Sequence, residues 1–226
     1  MSGEPLSTSP KPATSVRPVT PAGAVRRYRK GIRELTAADP GLARIVAEAG
    51  HPEIALRPAG FPTLLRAIIA QQVSAAAART IWRRFEDRLA GPVEAAGVHA
   101  LGYDGVRALG LSGRKTDYAL GLAEAALSGE LDFDAIARMP DEEAIARLIA
   151  LRGIGRWTAE VYLLFALGRP DVWPAADLAL ATAAGRIRGL DARPSFKTAS
   201  EIAETWRPWR GAAAILLWHY YRTMPA

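Results

Sequence analysis

Leu148-Ile149-Ala150-Leu151-Arg152-Gly153-Ile154-Gly155-Arg156-Trp157-Thr158-Ala159-Glu160 is the stretch whose reading decides the fold. Gly153 and Gly155 flank one apolar residue and stand between two helical patterns. Before them, Ala144, Ile145, Leu148 and Ile149 recur at helical spacing, behind an acidic start at Asp141, Glu142 and Glu143 that suits a helix macrodipole. After them, Val161 to Leu167 is apolar on every face, as in a buried helix. The glycines permit a tight hairpin and let a ligand approach the backbone closely. Ile154 would pin the turn to the core. The first N–H groups of the second helix have no partner within the helix, so they suit an anion such as a nucleic-acid phosphate. An ordinary helix–turn–helix connection would use the same residues, and a bare Gly-x-Gly does not choose between the two.

Downstream runs Trp173-Pro174-Ala175-Ala176-Asp177-Leu178. Asp177 lies 20 positions after Trp157 and is the only acid between Asp171 and Asp191. Leu151 to Ala159 together with Pro174 to Asp177 resembles the helix-hairpin-helix DNA glycosylases, specifically the 3-methyladenine DNA glycosylase II type. The resemblance covers roughly residues 60 to 221. It implies an all-α fold, two helical lobes around a cleft, with Asp177 at the position of the family's catalytic aspartate. It places Gln72, in the corner Gln71-Gln72-Val73-Ser74, where the family inserts a wedge residue into duplex DNA. Gln71, Gly153, Ile154, Gly155, Arg156 and Thr158 complete the expected DNA contacts. Trp157, Trp218 and Tyr162 are the expected aromatic walls of a base pocket. The family hairpin also holds a monovalent cation through backbone carbonyls, which by match are those of Ile149, Leu151 and Ile154. No other cofactor is implied.

The remaining composition agrees with a polyanion-binding globular chain. It has 226 residues, half of them hydrophobic, enough for one sizeable core or two small lobes sharing a cleft. The formal net charge is +6, and only Lys11, Lys30, Lys115 and Lys197 interrupt an otherwise arginine-based cation set. An arginine-rich, alanine-rich composition would give that count without function. There is no cysteine, which excludes disulfides and the cysteine-ligated iron–sulfur cluster of some relatives. No apolar run approaches the roughly 18 residues of a membrane span, and no apolar leader segment is visible. A cytoplasmic monomer is the expectation.

The Ser-, Thr- and Pro-rich residues 1 to 23 are expected to be a disordered tail, and 24 to 226 the glycosylase-like domain. Within it, residues about 72 to 155 form a middle lobe, and 24 to 71 with 156 to 226 the other. Helices are expected at 24–35, 42–49, 61–70, 75–89, 113–127, 131–138, after Asp177 to Arg188, at 196–206 and at 209–221. Short glycine-separated helices fill 91–111, for about ten in all. In the helix after the Ser74 cap, Ala76, Ala77, Ile81, Phe85 and Leu89 should be buried. Arg114 and Lys115 at a helix start suit either a phosphate or a solvated basic turn.

Acting on a base inside a duplex requires extruding the nucleotide. The backbone must be held, the gap filled and the reaction centre stabilised. The hairpin, Gln72 and Asp177 are the candidates for those three tasks. Breaking an N-glycosidic bond builds positive charge on the sugar, and a fixed carboxylate stabilises it. Asp177 is also placed to be an ordinary helix cap, the two glutamines to be solvated, and the tryptophans to be core. A backbone-cleaving glycosylase needs an amine for a Schiff base. The family position for that lysine holds Trp157, and no lysine lies between Lys115 and Lys197. The expectation is a monofunctional enzyme acting on alkylated bases in double-stranded DNA. Where the best-known members carry further pocket aromatics, this chain has Val161 and Leu178. The competing reading is a helix-hairpin-helix protein that binds DNA structure without catalysis.

Overall fold

In the computed structural model, which describes residues 18 to 223 without the side chain of Ala75, the chain is built from helices, and no strand occurs among the described residues. The order is α1 (Pro21–Ala38), α2 (Pro40–Ala49), α3 (Phe61–Ala70), α4 (Ala75–Leu89), α5 (Ala95–Ala100), α6 (Gly102–Ala108), α7 (Gly113–Leu127), α8 (Phe133–Arg138), α9 (Asp141–Ile149), α10 (Arg156–Phe165), α11 (Leu178–Ile187), α12 (Phe196–Glu204) and α13 (Arg210–Thr223). The expected all-α architecture is the observed one, with more helices than expected. The expected tail ends early. Thr20 caps α1 by accepting from Gly23 N at 3.2 Å, and Pro21 sits at the first helical position, so residues 21–23 are helical. The rest of the tail, residues 1–17, lies outside the described residues.

Local chemistry explains most boundaries. Ser74 Oγ accepts from Ala77 N, Ser112 Oγ from Lys115 N and Ser195 Oγ from Thr198 N, opening α4, α7 and α12. Asp39 caps α2 through Gly41 N and Leu42 N, and it also receives Trp206 Nε1 at 2.8 Å and an Arg188 ion pair at 2.7 Å. Burial works against that carboxyl's charge, but the Trp206 and Arg188 donors outweigh it and hold its pKa below the ordinary range. One side chain thus ties the α1–α2 junction to the ends of α11 and α12.

The apolar faces merge into one continuous core. α13, buried from Gly211 to Leu217, is the central post against which α1, α2, α11 and α12 pack. At Gly211 a Cβ would lie 2.5 Å from the Leu164 side chain, so that crossing admits no larger residue. α7 centres the other group, packing on α3, α5 and α6. α3, expected in the outer lobe, packs mainly on α4 and α7 and also touches α10. Its broad buried face, with Leu64, Leu65, Ile68 and Ile69, is wide enough to meet both. In α4, Trp82 and Phe85 carry the burial, while Ala76 is exposed against expectation. α9 and α10 form the hairpin; α10 touches α3 on one side and, through Leu164 and Phe165, meets Tyr28 of α1 and Trp218 of α13 on the other.

Candidate nucleic-acid interface and catalytic site

The hairpin takes its shape from glycines with different tasks. Gly153 has φ +91°, a left-handed conformation, and a Cβ there would sit 2.4 Å from the Tyr118 ring. Gly155 has ordinary φ, caps α10 without a side-chain bond, and a Cβ there would meet nothing within 4 Å. Gly153 is required by the fold, whereas Gly155 leaves open space in front of α10. The first N–H groups of α10, at Arg156, Trp157 and Thr158, therefore have no intrahelical partner and no cap. Ile154 is buried, as expected of a residue that pins the turn, and its N–H donates to Leu151 O at 3.1 Å.

That open space is a groove of about 710 Å³ between the hairpin, the Gln71–Gln72 corner and the start of α7. Arg114 and Lys115 line it, and no acidic residue does. Acids lie to either side of it: Asp141, Glu142, Glu160, Asp171 and Glu204, with Arg156 and Arg210, line a separate cavity of about 180 Å³, and Asp117, Glu124 and Glu130 line another beside Leu151 and Arg152. The two cations and the absence of an acid in the groove itself make it attractive to a polyanion.

The Arg156 side chain is turned to the acidic side, while its backbone N–H stays at the open start of α10. Its guanidinium is bonded to Glu142 at 2.7 and 2.9 Å and to Glu160 at 2.9 Å. The reason is antiparallel geometry: the acidic start of α9 lies beside the start of α10, and Glu160 is one turn further on. Burial pushes Glu160 up to about 6 despite Arg156 beside it. Glu160 also accepts a backbone bond from Ala175, so it anchors the loop that leads to Asp177.

Gln71 and Gln72 diverge. Gln71 is half-buried, and its Nε2 donates to Gly153 O at 2.8 Å, linking corner to hairpin. Gln72 is exposed and adopts φ +54°, a left-handed conformation unusual for a residue with a side chain. Strain of this kind, of order 1–3 kcal/mol, persists where neighbours impose it and clusters at functional sites.

On the far side of Gln71 and Thr158 lies a second cleft of about 230 Å³, chiefly apolar. Its walls include Thr63 and Ala67 from α3, and Trp157, Val161, Tyr162 and Phe165 from α10, with Arg57 also lining it. Trp157, Val161 and Phe165 are spaced four apart on one helix face, so Phe165 was readable in the sequence and was missed there. Val161 and Phe165 remain part-exposed because that face fronts the cleft. Tyr162 is buried, as a wall, and its hydroxyl accepts from Gly60 N at 2.8 Å; burial pushes its pKa up to about 12. Trp218 lies further back. It stacks on Phe165 at 5.5 Å between centroids, and it supports the wall without lining the cleft.

Trp157 is 42% exposed, and its Nε1 donates to Asp177 Oδ2 at 2.9 Å. Asp177 is 8% exposed, and its Oδ1 accepts from Leu180 N at 2.9 Å, opening α11. Capping and chemistry do not exclude one another: one oxygen serves the helix, and the other is fixed at the pocket tryptophan. Leu178 beside it is the most exposed large apolar residue among those described.

The expected cation ligands are the Ile149, Leu151 and Ile154 carbonyls. Those of Ile149 and Leu151 lie at the C-terminal, negative end of α9, which suits a monovalent cation in kind, and that of Ile154 lies in the turn before α10. Leu151 O already accepts the Ile154 N–H. No cluster of three or more His, Asp or Glu suited to a metal occurs among the described residues. No helix among them is long and apolar enough to cross a membrane.

A helical hairpin whose second helix starts without a side-chain cap, an apolar cleft beside it and a carboxylate bonded to the cleft's Trp157 define a helix-hairpin-helix repair architecture. Residues 65–208 match the family model of the HhH-GPD superfamily base excision DNA repair proteins, and the chain belongs to that family. It is 35% identical over 164 residues to DNA-3-methyladenine glycosylase 1 of Schizosaccharomyces pombe, covering 70% of this chain and 71% of that one. It is 29% identical over 184 residues to a putative DNA-3-methyladenine glycosylase of Bacillus subtilis, covering 78% and 64% respectively. The fold superposes on the S. pombe 3-methyladenine DNA glycosylase bound to abasic DNA with a TM-score of 0.75, at 32% identity, covering 84% of this chain and 95% of that chain.

Proposed function

We propose that this protein is a monofunctional DNA glycosylase that releases alkylated bases of the 3-methyladenine type from double-stranded DNA and leaves an abasic site. The observation that carries the reading is the Trp157–Asp177 bond at 2.9 Å beside the apolar cleft. In the proposed reaction the uncapped start of α10, Gly155 and Arg114 hold phosphates. Gln72 fills the gap, and the extruded base enters the cleft against Trp157, Tyr162 and Phe165. Aromatic faces attract the cationic character of alkylated purines. As the C1′–N bond breaks, its electron pair leaves with the base and positive charge grows at C1′. The Asp177 carboxylate stabilises that charge and orients the water whose oxygen bonds C1′. The water gives one proton to the Asp177 carboxylate, which passes it to solvent, and a hydroxyl remains on C1′ while the cationic alkylated base departs neutral. Trp157 occupies the place of a Schiff-base lysine, so the strand stays intact. A monovalent cation on the Ile149, Leu151 and Ile154 carbonyls would brace the hairpin.

The test is release of free base from methylated duplex DNA, measured by chromatography, with the same DNA examined for strand breaks. Free 3-methyladenine with unbroken strands supports the proposal. Lesion binding with no release of any alkylated base would make the protein a non-catalytic DNA-structure binder.

A further inference from the structure

The corner that presents Gln72 is held by a residue from a distant helix. α3 ends at Ala70, and the last carbonyls of a helix lack internal partners. Lys115 Nζ donates to Ile69 O at 2.9 Å and to Gln71 O. The lysine sits in the first turn of α7, where a cation opposes the macrodipole of its own helix. Burial further disfavours its charge and lowers its pKa. No carboxylate pairs with it among the described residues; its partners are the two carbonyls. Nothing in α7 therefore accounts for a lysine here. What the ammonium meets is the negative end of α3, and the favourable interaction lies across the gap between the two helices.

The other side of the same corner is tied to the hairpin through Gln71 Nε2 and Gly153 O at 2.8 Å. Between these two ties the chain enters Gln72 at φ +54°, and the side chain stands exposed on the groove that Gly155 and Arg114 also line. We propose that Lys115 is the positioning residue for the Gln72 wedge: by clamping the final carbonyls of α3 to α7, it holds the turn in its left-handed form and sets the reach of Gln72 relative to the phosphate-gripping hairpin. The inference rests on the glycosylase reading for Gln72's task. Lys115 acts through the turn and touches neither base nor sugar.

The experiment uses two substrates and one probe independent of catalysis. The probe is a duplex with an abasic analogue beside 2-aminopurine, whose fluorescence changes when a side chain enters the gap. Lys115→Met keeps the aliphatic stem and removes both bonds. At saturating protein it should lose most of the fluorescence change that wild type gives, as Gln72→Ala does. On methylated DNA its single-turnover rate should fall tenfold or more in duplex and no more than threefold in single strands, which escape most of the cost of flipping. Lys115→Arg, which keeps donors to both carbonyls, should recover most of the duplex rate. The double variant Lys115→Met/Gln72→Ala should be no slower on duplex than Gln72→Ala alone, because the two changes remove one device. Equal losses on both substrates, or additive losses in the double variant, would overturn the proposal. So would a wild-type fluorescence change in Lys115→Met. If Lys115→Met does not fold, Lys115→Gln, which can keep one bond, is read by the same ratios. Wild type releasing no base would sink the glycosylase reading, while the fluorescence arm would still decide the role of Lys115.

Discussion

Replacing each hairpin glycine by alanine should separate fold from grip. At Gly153 the new Cβ is forced into φ +91° and to within 2.4 Å of the Tyr118 ring. The left-handed backbone alone costs about 1–2 kcal/mol for an L-residue, and displacing the ring adds to it. Gly153→Ala should therefore lose at least about 2 kcal/mol of stability. Gly155 differs. Its φ is −87°, and its Cβ would touch nothing. Alanine is a poorer helix cap than glycine by up to about 1 kcal/mol, but reduced freedom of the unfolded chain returns about 0.4–1. The net change should stay within about 0.5 kcal/mol. If a phosphate approaches α10 through that gap, a methyl group there displaces it and forfeits a hydrogen bond to a charged group, about 1.5–3 kcal/mol. At 1.4 kcal/mol per decade, binding should weaken about ten- to a hundredfold. The loss should be equal for damaged and undamaged duplex, since phosphate contacts carry no base information. Urea unfolding gives the stability, and anisotropy titrations of labelled duplex at fixed salt give the affinity. A Gly155→Ala protein that unfolds like wild type and binds DNA within twofold of it would show that the open space at α10 holds no phosphate.

Asp177→Asn should keep the cap to Leu180 N and turn an acceptor at Trp157 Nε1 into a donor, costing about 1 kcal/mol of stability. Base release should fall about a hundredfold or more while lesion-DNA binding is retained; single-turnover release within a few-fold of wild type would remove Asp177 from the chemistry. Glu160 makes stability fall as pH rises. Its folded pKa of about 6 lies above the ordinary 4.5, so the native state holds the proton more tightly and weakens as pH passes from 4.5 to 6. The 1.5-unit shift corresponds to about 2 kcal/mol. Glu160→Gln should gain about that much relative to wild type between pH 4 and pH 7 in urea unfolding, against the fixed charges of Arg156 and Glu142; a pH-independent difference would show that Glu160 does not titrate in this range. Borohydride added during turnover should trap no covalent adduct, since Trp157 stands in the lysine position; efficient trapping would overturn the monofunctional assignment.

The elements that sequence made legible are those whose residue types answer to local rules. Gly153 is needed for a backbone angle, Ser74 and Ser112 for caps, and the four-residue spacing on α10 for a helix face. The site was legible to the extent that resemblance placed Asp177, and the structure adds that its carboxylate meets Trp157. What escaped were facts about partners far along the chain. That the Arg156 side chain pairs with Glu142 could be seen only once α9 and α10 were laid antiparallel. Trp218 reads as a pocket wall until Phe165 comes between it and the cleft. Lys115 reads as a solvated or phosphate-binding cation until the end of α3 is placed against it. The adjacent Gln71 and Gln72 are alike in composition, and only the reversal of φ between them assigns one to the hairpin and the other to the groove.

The packing of α1 has a consequence for how the chain is made. Its Tyr28 hydroxyl donates to Leu164 O at 2.7 Å and Arg169 O at 2.9 Å, and its Gly31 lies against Trp209 and Ala212. During synthesis α1 leaves the ribosome well before these partners exist. At about 5–20 residues per second the wait is on the order of ten seconds or more. The helices around α7 can gather during that interval, because their partners are near in sequence. α1 can meet α2 early, but its Tyr28 and Gly31 contacts wait for Leu164, Arg169, Trp209 and α13 to emerge. A nascent chain would hold the phosphate-gripping hairpin before it holds a finished enzyme, and any chaperone that attends this protein would find its longest-lived target at α1.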